Sequence, residues 1–257
     1  MNANVSLAAF PGARYEDALQ RGLNQAVSEP ALGVLSTAHC QLVPQTCREQ
    51  LTRELAEEIA HRFPASQFRL HANVRVLDRH RLNADLSAFS EHTDYFAELA
   101  TISRSLKADG YSAHAGSRAS GSFADVLNAA RSASDLFRCP VAVEGHYPTP
   151  RDGNRWNISS WAEYRSLFDS GVPYALDLSH LNIVGHHSRM YETNLVREML
   201  ACERCIEIHL SDNDGRGDQH RMLNIGPRWW ALRAYFNTAA IVFSEGNQSK
   251  IEKLETP

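Results

Sequence analysis

The strongest constraint on this chain is a rhythm. Short β-branched or apolar runs alternate with longer amphipathic stretches along its whole length. The runs Val5–Phe10, Leu32–Ala38, Phe68–Val74, Tyr111–Ala115, Pro140–Gly145, Tyr174–Ser179, Ile206–Ser211 and Ala240–Ser244 have the length and composition of strands. Between them, Tyr15–Val27, Cys47–Phe63, Ser90–Asp109, Phe123–Phe137, Trp161–Ser170, Thr193–Cys202 and Trp229–Phe236 read as helices. In the second of these, Leu51, Leu55 and Ile59 recur every four residues while Glu54, Glu57 and Glu58 take the other face, the pattern of a helix laid on a core. Gly110, Gly171 and Pro140 mark helix-to-strand transitions, and Ser122, Ser159 and Ser160 stand where helix N-caps are needed. Eight strands alternating with seven or eight helices in 257 residues predict an α/β chain folded as a single (β/α)8 TIM barrel. An open doubly wound sheet carries the same local signal. No linker or internal repeat divides the chain, so residues 1–247 are read as one barrel domain and the polar residues 248–257 as a tail.

Hydrophobic residues make up 43% and charged residues 22%, which excludes disordered, collagen-like and coiled-coil classes. Lys+Arg of 26 against Asp+Glu of 30 leaves a net charge of −4, without the basic footprint of a nucleic-acid binder. No apolar run approaches the ~20 residues of a membrane span. Met1-Asn2-Ala3-Asn4-Val5-Ser6 lacks the basic-then-apolar order of a signal peptide, so the expected location is cytoplasmic. The five scattered cysteines fit reduced thiols. The Cys202-Glu203-Arg204-Cys205 spacing has no second pair to complete a zinc site and is read as packing.

The twelve histidines carry the functional signal. In a TIM barrel, catalytic groups collect where the strands end. The third to eighth strands end in Leu70-His71-Ala72-Asn73, Ser112-Ala113-His114-Ala115, Val143-Glu144-Gly145-His146, Leu176-Asp177-Leu178-Ser179-His180, Ile208-His209-Leu210-Ser211 and Ser244-Glu245-Gly246-Asn247. The loop after the seventh adds Asp218-Gln219-His220. A lone His or Asp at a strand end is usually a satisfied polar group or a helix cap. Nine together (His71, His114, Glu144, Asp177, His180, His209, Asp218, His220 and Glu245) would bear heavy desolvation unless cations compensate them. Imidazole and carboxylate donors suit zinc, iron or manganese.

These residues resemble the endonuclease IV and xylose-isomerase-like TIM barrels, over about residues 68 to 247. Sugar isomerases and epimerases of that superfamily hold one divalent ion with Glu, Asp, His and Glu from strands five to eight. The resemblance places these at Glu144, Asp177, His209 and Glu245, with His180 of the Asp-x-x-His step contacting substrate. Endonuclease IV adds ligands for a three-metal cluster, and His71, His114, His180, Asp218 and His220 stand in those places. The carry-over implies one metal on His71, His114 and Glu144, and a second on Glu144, Asp177, His209 and Glu245 with Glu144 bridging. The third falls to His180, Asp218 and His220. Leu223-Asn224-Ile225-Gly226 is a further point of likeness. Three elements of endonuclease IV differ. Val5-Ser6-Leu7-Ala8 replaces His-x-Ser, His114-Ala115-Gly116 replaces His-Pro-Gly, and Glu144-Gly145-His146 replaces Glu-Asn-Thr. These belong partly to DNA-binding loops, so the resemblance implies the metal cluster with nucleic acid an unlikely partner. Multinuclear non-heme iron enzymes that oxidise residues of precursor peptides share the barrel and a similar ligand array.

The expected function is therefore a metalloenzyme carrying two or three divalent metals, iron or zinc before manganese. It would act on a small molecule or peptide, oxidatively if the metal is iron. A one-metal sugar or sugar-phosphate isomerase or epimerase is the first alternative, and a zinc phosphodiesterase the second. Glu144, Glu245 and His180 are the expected catalytic groups. Arg118, His146, Arg151 and Arg216 follow strand ends and are candidates for substrate contact. Gly215-Arg216-Gly217 frees the loop to return Asp218 and His220 to the axis. His186-His187 is read as a surface loop pair, and His39 as a group that could reach the mouth. Trp229-Trp230 is read as packing on the barrel exterior.

Overall fold

Parallel pairing runs unbroken around eight strands. The computed structural model describes residues 2–43, 49–78, 84–149, 152–224 and 226–248. The barrel strands are β1 (Asn4–Ser6), β4 (Ser36–Leu42), β5 (Gln67–His71), β6 (Tyr111–His114), β7 (Val141–Glu144), β8 (Tyr174–Asp177), β9 (Cys205–Leu210) and β10 (Ile241–Ser244). They close in the order β1-β10-β9-β8-β7-β6-β5-β4. A separate antiparallel pair, β2 (Ser28–Glu29) and β3 (Gly33–Val34), precedes β4. The helices are α1 (Tyr15–Asn24), α2 (Arg53–Arg62), α3 (Thr93–Ser105), α4 (Phe123–Phe137), α5 (Trp161–Asp169), α6 (Leu178–Ser188) and α7 (Thr193–Ala201). This is the expected (β/α)8 barrel, and the open-sheet alternative falls away because β1 pairs with β10 through Asn4↔Phe243 and Val5↔Ser244. No helix among the described residues is long and apolar enough to cross a membrane.

Side-chain caps mark the starts of α2 and α4. The Thr52 side chain accepts from Leu55 N at the head of α2, and Ser122 and Asp125 form a reciprocal capping box on α4. Ala56 and Ile59 of α2 are buried while Glu54, Glu57 and Glu58 face water, as the periodicity requires. Trp229 is buried in the core and Trp230 packs against it, within a 3-10 stretch at Arg228–Tyr235.

Several boundaries differ from expectation. The first strand stops at Ser6, where the Ser6 side chain accepts from Ala8 N and turns Leu7–Ala9 into a 3-10 turn. The second begins at Ser36, because Gly33 and Val34 are taken by the small hairpin. Helix α6 is new. It follows β8 with no loop, on a stretch read as the end of a strand and a surface loop. It is buried over Leu178–Leu181 and Ile183–Gly185, so it lacks the two-faced pattern that marks a helix in sequence. His186 and His187 accordingly sit in its exposed last turn rather than in a loop. Cys47, Ile225 and residues 249–257 of the expected tail lie outside the described residues.

Side-chain alternation divides each strand between two environments. On β5, Phe68 and Leu70 join the apolar core against the helices while Arg69 and His71 enter the barrel. On β9, Ile208 and Leu210 face outward in the same way, with Glu207 and His209 inside. The barrel thus carries polar groups in two successive layers, one at the mouth and one beneath it.

Candidate metal centre

Glu144, at the end of β7, is the hub. Its carboxylate lies 3.4 Å from His71 Nε2, 3.7 Å from His114 Nε2, 3.4 Å from His180 Nδ1 and 3.2 Å from His209 Nδ1. Strand register brings these together: His114 pairs with Glu144 and Asp177 with His209. Burial opposes ionisation of Glu144, yet His209, His71 and His114 hold its carboxyl well below the usual range. His71 goes the other way, since burial pushes it down to about 3 and leaves the ring neutral. Gly145 is required beside the hub, because a Cβ there would strike the Tyr164 hydroxyl, which donates to His146 O.

Asp177 divides its two oxygens. Oδ1 caps α6 by accepting from Ser179 N at 2.6 Å and His180 N at 3.2 Å, while Oδ2 faces His180 Nε2 at 3.3 Å. His180 Nδ1 lies 3.0 Å from Gly145 O, which fixes the ring with Nε2 towards Asp177 and Asp218. The loop after β9 brings Asp218 Oδ2 to 3.6 Å from His180 Nε2 and 2.8 Å from His220 Nε2. Gly215 does supply a positive φ of 78°, and a Cβ there would meet His186 Cβ at 2.7 Å. His220 itself sits in the left-handed region at φ 43°, an uncommon geometry for a non-glycine residue that clusters at functional sites. Burial opposes the charged ring at His180 and at His220. Asp177 and Asp218 raise the former to about 10, and Asp218 and Glu245 raise the latter to about 10. Glu245, following β10, is 3.9 Å from His209 Nδ1 and 3.7 Å from His220 Nδ1, and burial pushes its carboxyl up to about 7.

Among the described residues, three groups of donor atoms converge closely enough to hold a metal ion: His71/His209/Glu245, His71/His114/Glu144 and Glu144/Asp177/His180. The second has the membership of an expected triad, the first joins His71 to His209 and Glu245 without Glu144, the third joins Glu144 and Asp177 to His180, and Asp218 and His220 enter none of the three. A cavity of about 390 Å³ opens over them, lined by every expected ligand except His209, which lies directly beneath.

The expected substrate contacts fare differently. The Arg118 guanidinium is tied to Glu163, and Arg216 is exposed on its loop, so neither lines the cavity. His146 is buried behind His114, stacked on Trp156 with ring centroids 4.5 Å apart. Arg151 lies outside the described residues. His39 does not reach the mouth. It pairs with Gln67 at the start of β5, at the opposite end of the barrel near Arg69 and Asp109. Cys202 and Cys205 are unpaired thiols, the latter buried at the start of β9.

Sequence reasoning missed the layer below. The Glu207 carboxylate crosses the barrel, accepting from Arg69 at 3.1 Å, Ser112 Oγ at 2.7 Å and Gln41 Nε2 at 3.2 Å, and lies 3.0 Å from His209 Nε2. Burial resists its charge, but His209 and Arg69 push it down to about 2. Asp85, 3.9 Å from His114 Nδ1 and held by Asn73, was missed as well. A signal existed for the first set: Arg69, Ser112 and Glu207 each precede a mouth histidine by two residues and so share its face.

Solved structures resemble this chain in fold. A D-tagatose 3-epimerase-like protein aligns with a TM-score of 0.62 at 13% identity, over 98% of this chain and 94% of that one. AP endonuclease, family 2 from Brucella melitensis aligns at 0.61 and 14%, over 96% and 93%. The fold these structures share with this chain is the closed (β/α)8 barrel. Endonuclease IV from Thermus thermophilus aligns at 0.55 and 15%, over 95% and 91%. No protein-family model matches the sequence, and no curated protein does.

Proposed function

We propose that this chain is a metal-dependent enzyme whose barrel mouth holds two or three divalent ions and acts on a small molecule or peptide, not on nucleic acid. The observation that carries this reading is the convergence of four imidazoles on Glu144 beside Asp177, Asp218 and Glu245. The residues fit such ions. Glu144 Oε2 and His209 Nδ1 are buried without a hydrogen-bond partner among the described residues, although only 3.2 Å apart. Bare buried donors of this kind are costly unless a cation takes them up. His71, His114 and Glu144 would hold one ion, Glu144, Asp177, His209 and Glu245 a second, and His180, Asp218 and His220 a third. Imidazole and carboxylate donors suit zinc, iron or manganese.

Bound ions supply Lewis-acid polarisation of a substrate oxygen and, if they are iron, redox capacity. The protein's part is to bind, orient and move protons. The 390 Å³ cavity is at the small end of ligand sites. Glu144 and Glu245 flank it from β7 and β10, where a carboxylate can take a proton from substrate or return it. His180 presents one nitrogen to the cavity because the other is engaged by Gly145 O.

A second reading is a one-metal sugar isomerase or epimerase. The observation favouring it is that Glu144, Asp177, His209 and Glu245 stand at or just past the ends of four successive strands of a barrel resembling the D-tagatose 3-epimerase-like structure. Elemental analysis of protein purified without chelator separates the readings. Two or three ions per chain, with one lost in His71→Ala or His220→Ala, is the expected result. Iron directs the search to oxygen-consuming reactions, and zinc to phosphoester hydrolysis. One ion, unaffected by either variant, gives the epimerase reading. No metal at all overturns both.

A further inference from the structure

We propose that Glu207 is a positioning residue for the metal centre, setting through hydrogen bonds which nitrogen of His209 and of His71 is offered to a metal. The inference rests on the metal reading above and deepens it.

Glu207 and His209 lie two apart on β9 and enter the barrel on the same side, so the carboxylate sits directly under the ring. His209 Nε2 is 3.0 Å from Glu207 Oε2, and a carboxylate can only accept. Gln41 Nε2, 2.9 Å from the same ring nitrogen, donates instead to Glu207 at 3.2 Å, so a proton is held on His209 Nε2, and Nδ1, 3.2 Å from Glu144 at the mouth, is the nitrogen a metal would take in place of a proton. The same oxygen accepts from Ser112 Oγ at 2.7 Å. A hydroxyl that donates there has its lone pairs left for His71 Nδ1, 2.9 Å away. His71 must then carry its proton on Nδ1 and offer Nε2, which faces Glu144 at 3.4 Å. One buried carboxylate thus fixes two imidazoles, one directly and one through a serine. Arg69 makes the arrangement persistent, because its guanidinium donates to the other oxygen at 3.1 Å and keeps Glu207 an acceptor. Partners behind a metal-bound histidine typically govern affinity by ~10–100-fold.

The test is titration of apo protein with Co²⁺, followed by visible absorption, alongside circular dichroism and thermal melting of the apo forms. Glu207→Gln retains one accepting oxygen and is expected to weaken Co²⁺ binding about 10-fold. Arg69→Met/Glu207→Leu removes the acceptor and its charge partner together, a replacement that buried pairs often tolerate. It is expected to weaken binding about 100-fold and to alter the absorption envelope, with the apo fold retained. Ser112→Ala should perturb only the His71 side, with a smaller loss. Wild-type affinity and spectrum in either Glu207 variant would overturn the role of Glu207 while leaving the metal centre standing. Should the double variant not fold, Glu207→Gln alone decides. Failure of wild-type protein to bind Co²⁺ is a different result and removes the metal reading itself.

Discussion

Two polar layers lie one above the other in the same barrel, and they obey opposite rules. In the lower one, Glu207 is in contact with Arg69, Ser112, Gln41 and His209, and Arg69 is further satisfied by Asp109 and Ile206 O. In the upper one, Glu144 Oε2, His209 Nδ1 and His146 Nε2 are buried without hydrogen-bond partners among the described residues. A closed network contributes to the fold, whereas donors left bare in a buried mouth are what the proposed metal ions would take up. Proximity to the axis therefore does not distinguish structure from function here; satisfaction does.

The comparison breaks most sharply at the hub. Glu144→Ala removes the carboxylate shared by four imidazoles, so metal content should fall to near zero and turnover by at least ~10³-fold, the scale on which removal of a principal catalytic group acts. Circular dichroism should meanwhile stay that of wild type. Full metal content in this variant would sink the assignment of the upper layer.

Arg69→Met should do the reverse. It strands Glu207 as a buried charge, and breaking such a pair typically costs ~3–5 kcal/mol of stability. Urea denaturation measures this directly. A loss below about 1 kcal/mol would mean that the lower layer is not the closed network described, since that is what an exposed ion pair contributes.

The smallest effect expected is at Glu29. Its carboxylate is buried, accepts from Leu223 N at 2.8 Å and from Ser244 Oγ, and has its pKa raised, burial being the largest cause. A raised folded value means that this group's contribution is full below the ordinary carboxyl range and is lost as pH rises through the folded value. Glu29→Gln does not titrate. Wild type should therefore lose thermal stability relative to the variant as pH rises above the ordinary carboxyl range, with a slope of no more than ~1.4 kcal/mol per pH unit. Parallel melting curves across that range would refute the assignment.

The upper layer was legible in the sequence because TIM-barrel geometry puts chemistry at strand ends, and strand ends can be found from alternation and punctuation. His71, His114, Glu144, Asp177, His209 and Glu245 all fall within or just past a strand that could be recognised. The lower layer was harder to see for the same reason. Arg69 and Glu207 lie inside strands, where a charged residue reads as an outward, solvated position; only the two-residue offset from His71 and His209 betrays that they face inward. The four Arg and His substrate candidates shared a weaker signal, position after a strand end, which says nothing of whether a side chain is already engaged, as Arg118 is by Glu163. Helix α6 escaped because near-complete burial erased its periodicity.

Closure of the barrel by β1 and β10 has a consequence during synthesis. Residues Asn4 and Val5 must wait for Phe243 and Ser244, and Glu245 follows immediately. While the ribosome is still making the last strand, the amino-terminal strand has an unpaired edge, the kind of surface that invites pairing with another chain. Helical cover and the β2–β3 hairpin can form earlier, but Glu29 finds Leu223 and Ser244 only at the end. Donors supplied from position 71 to position 245 mean that the candidate metal centre can assemble only after β10 has been made.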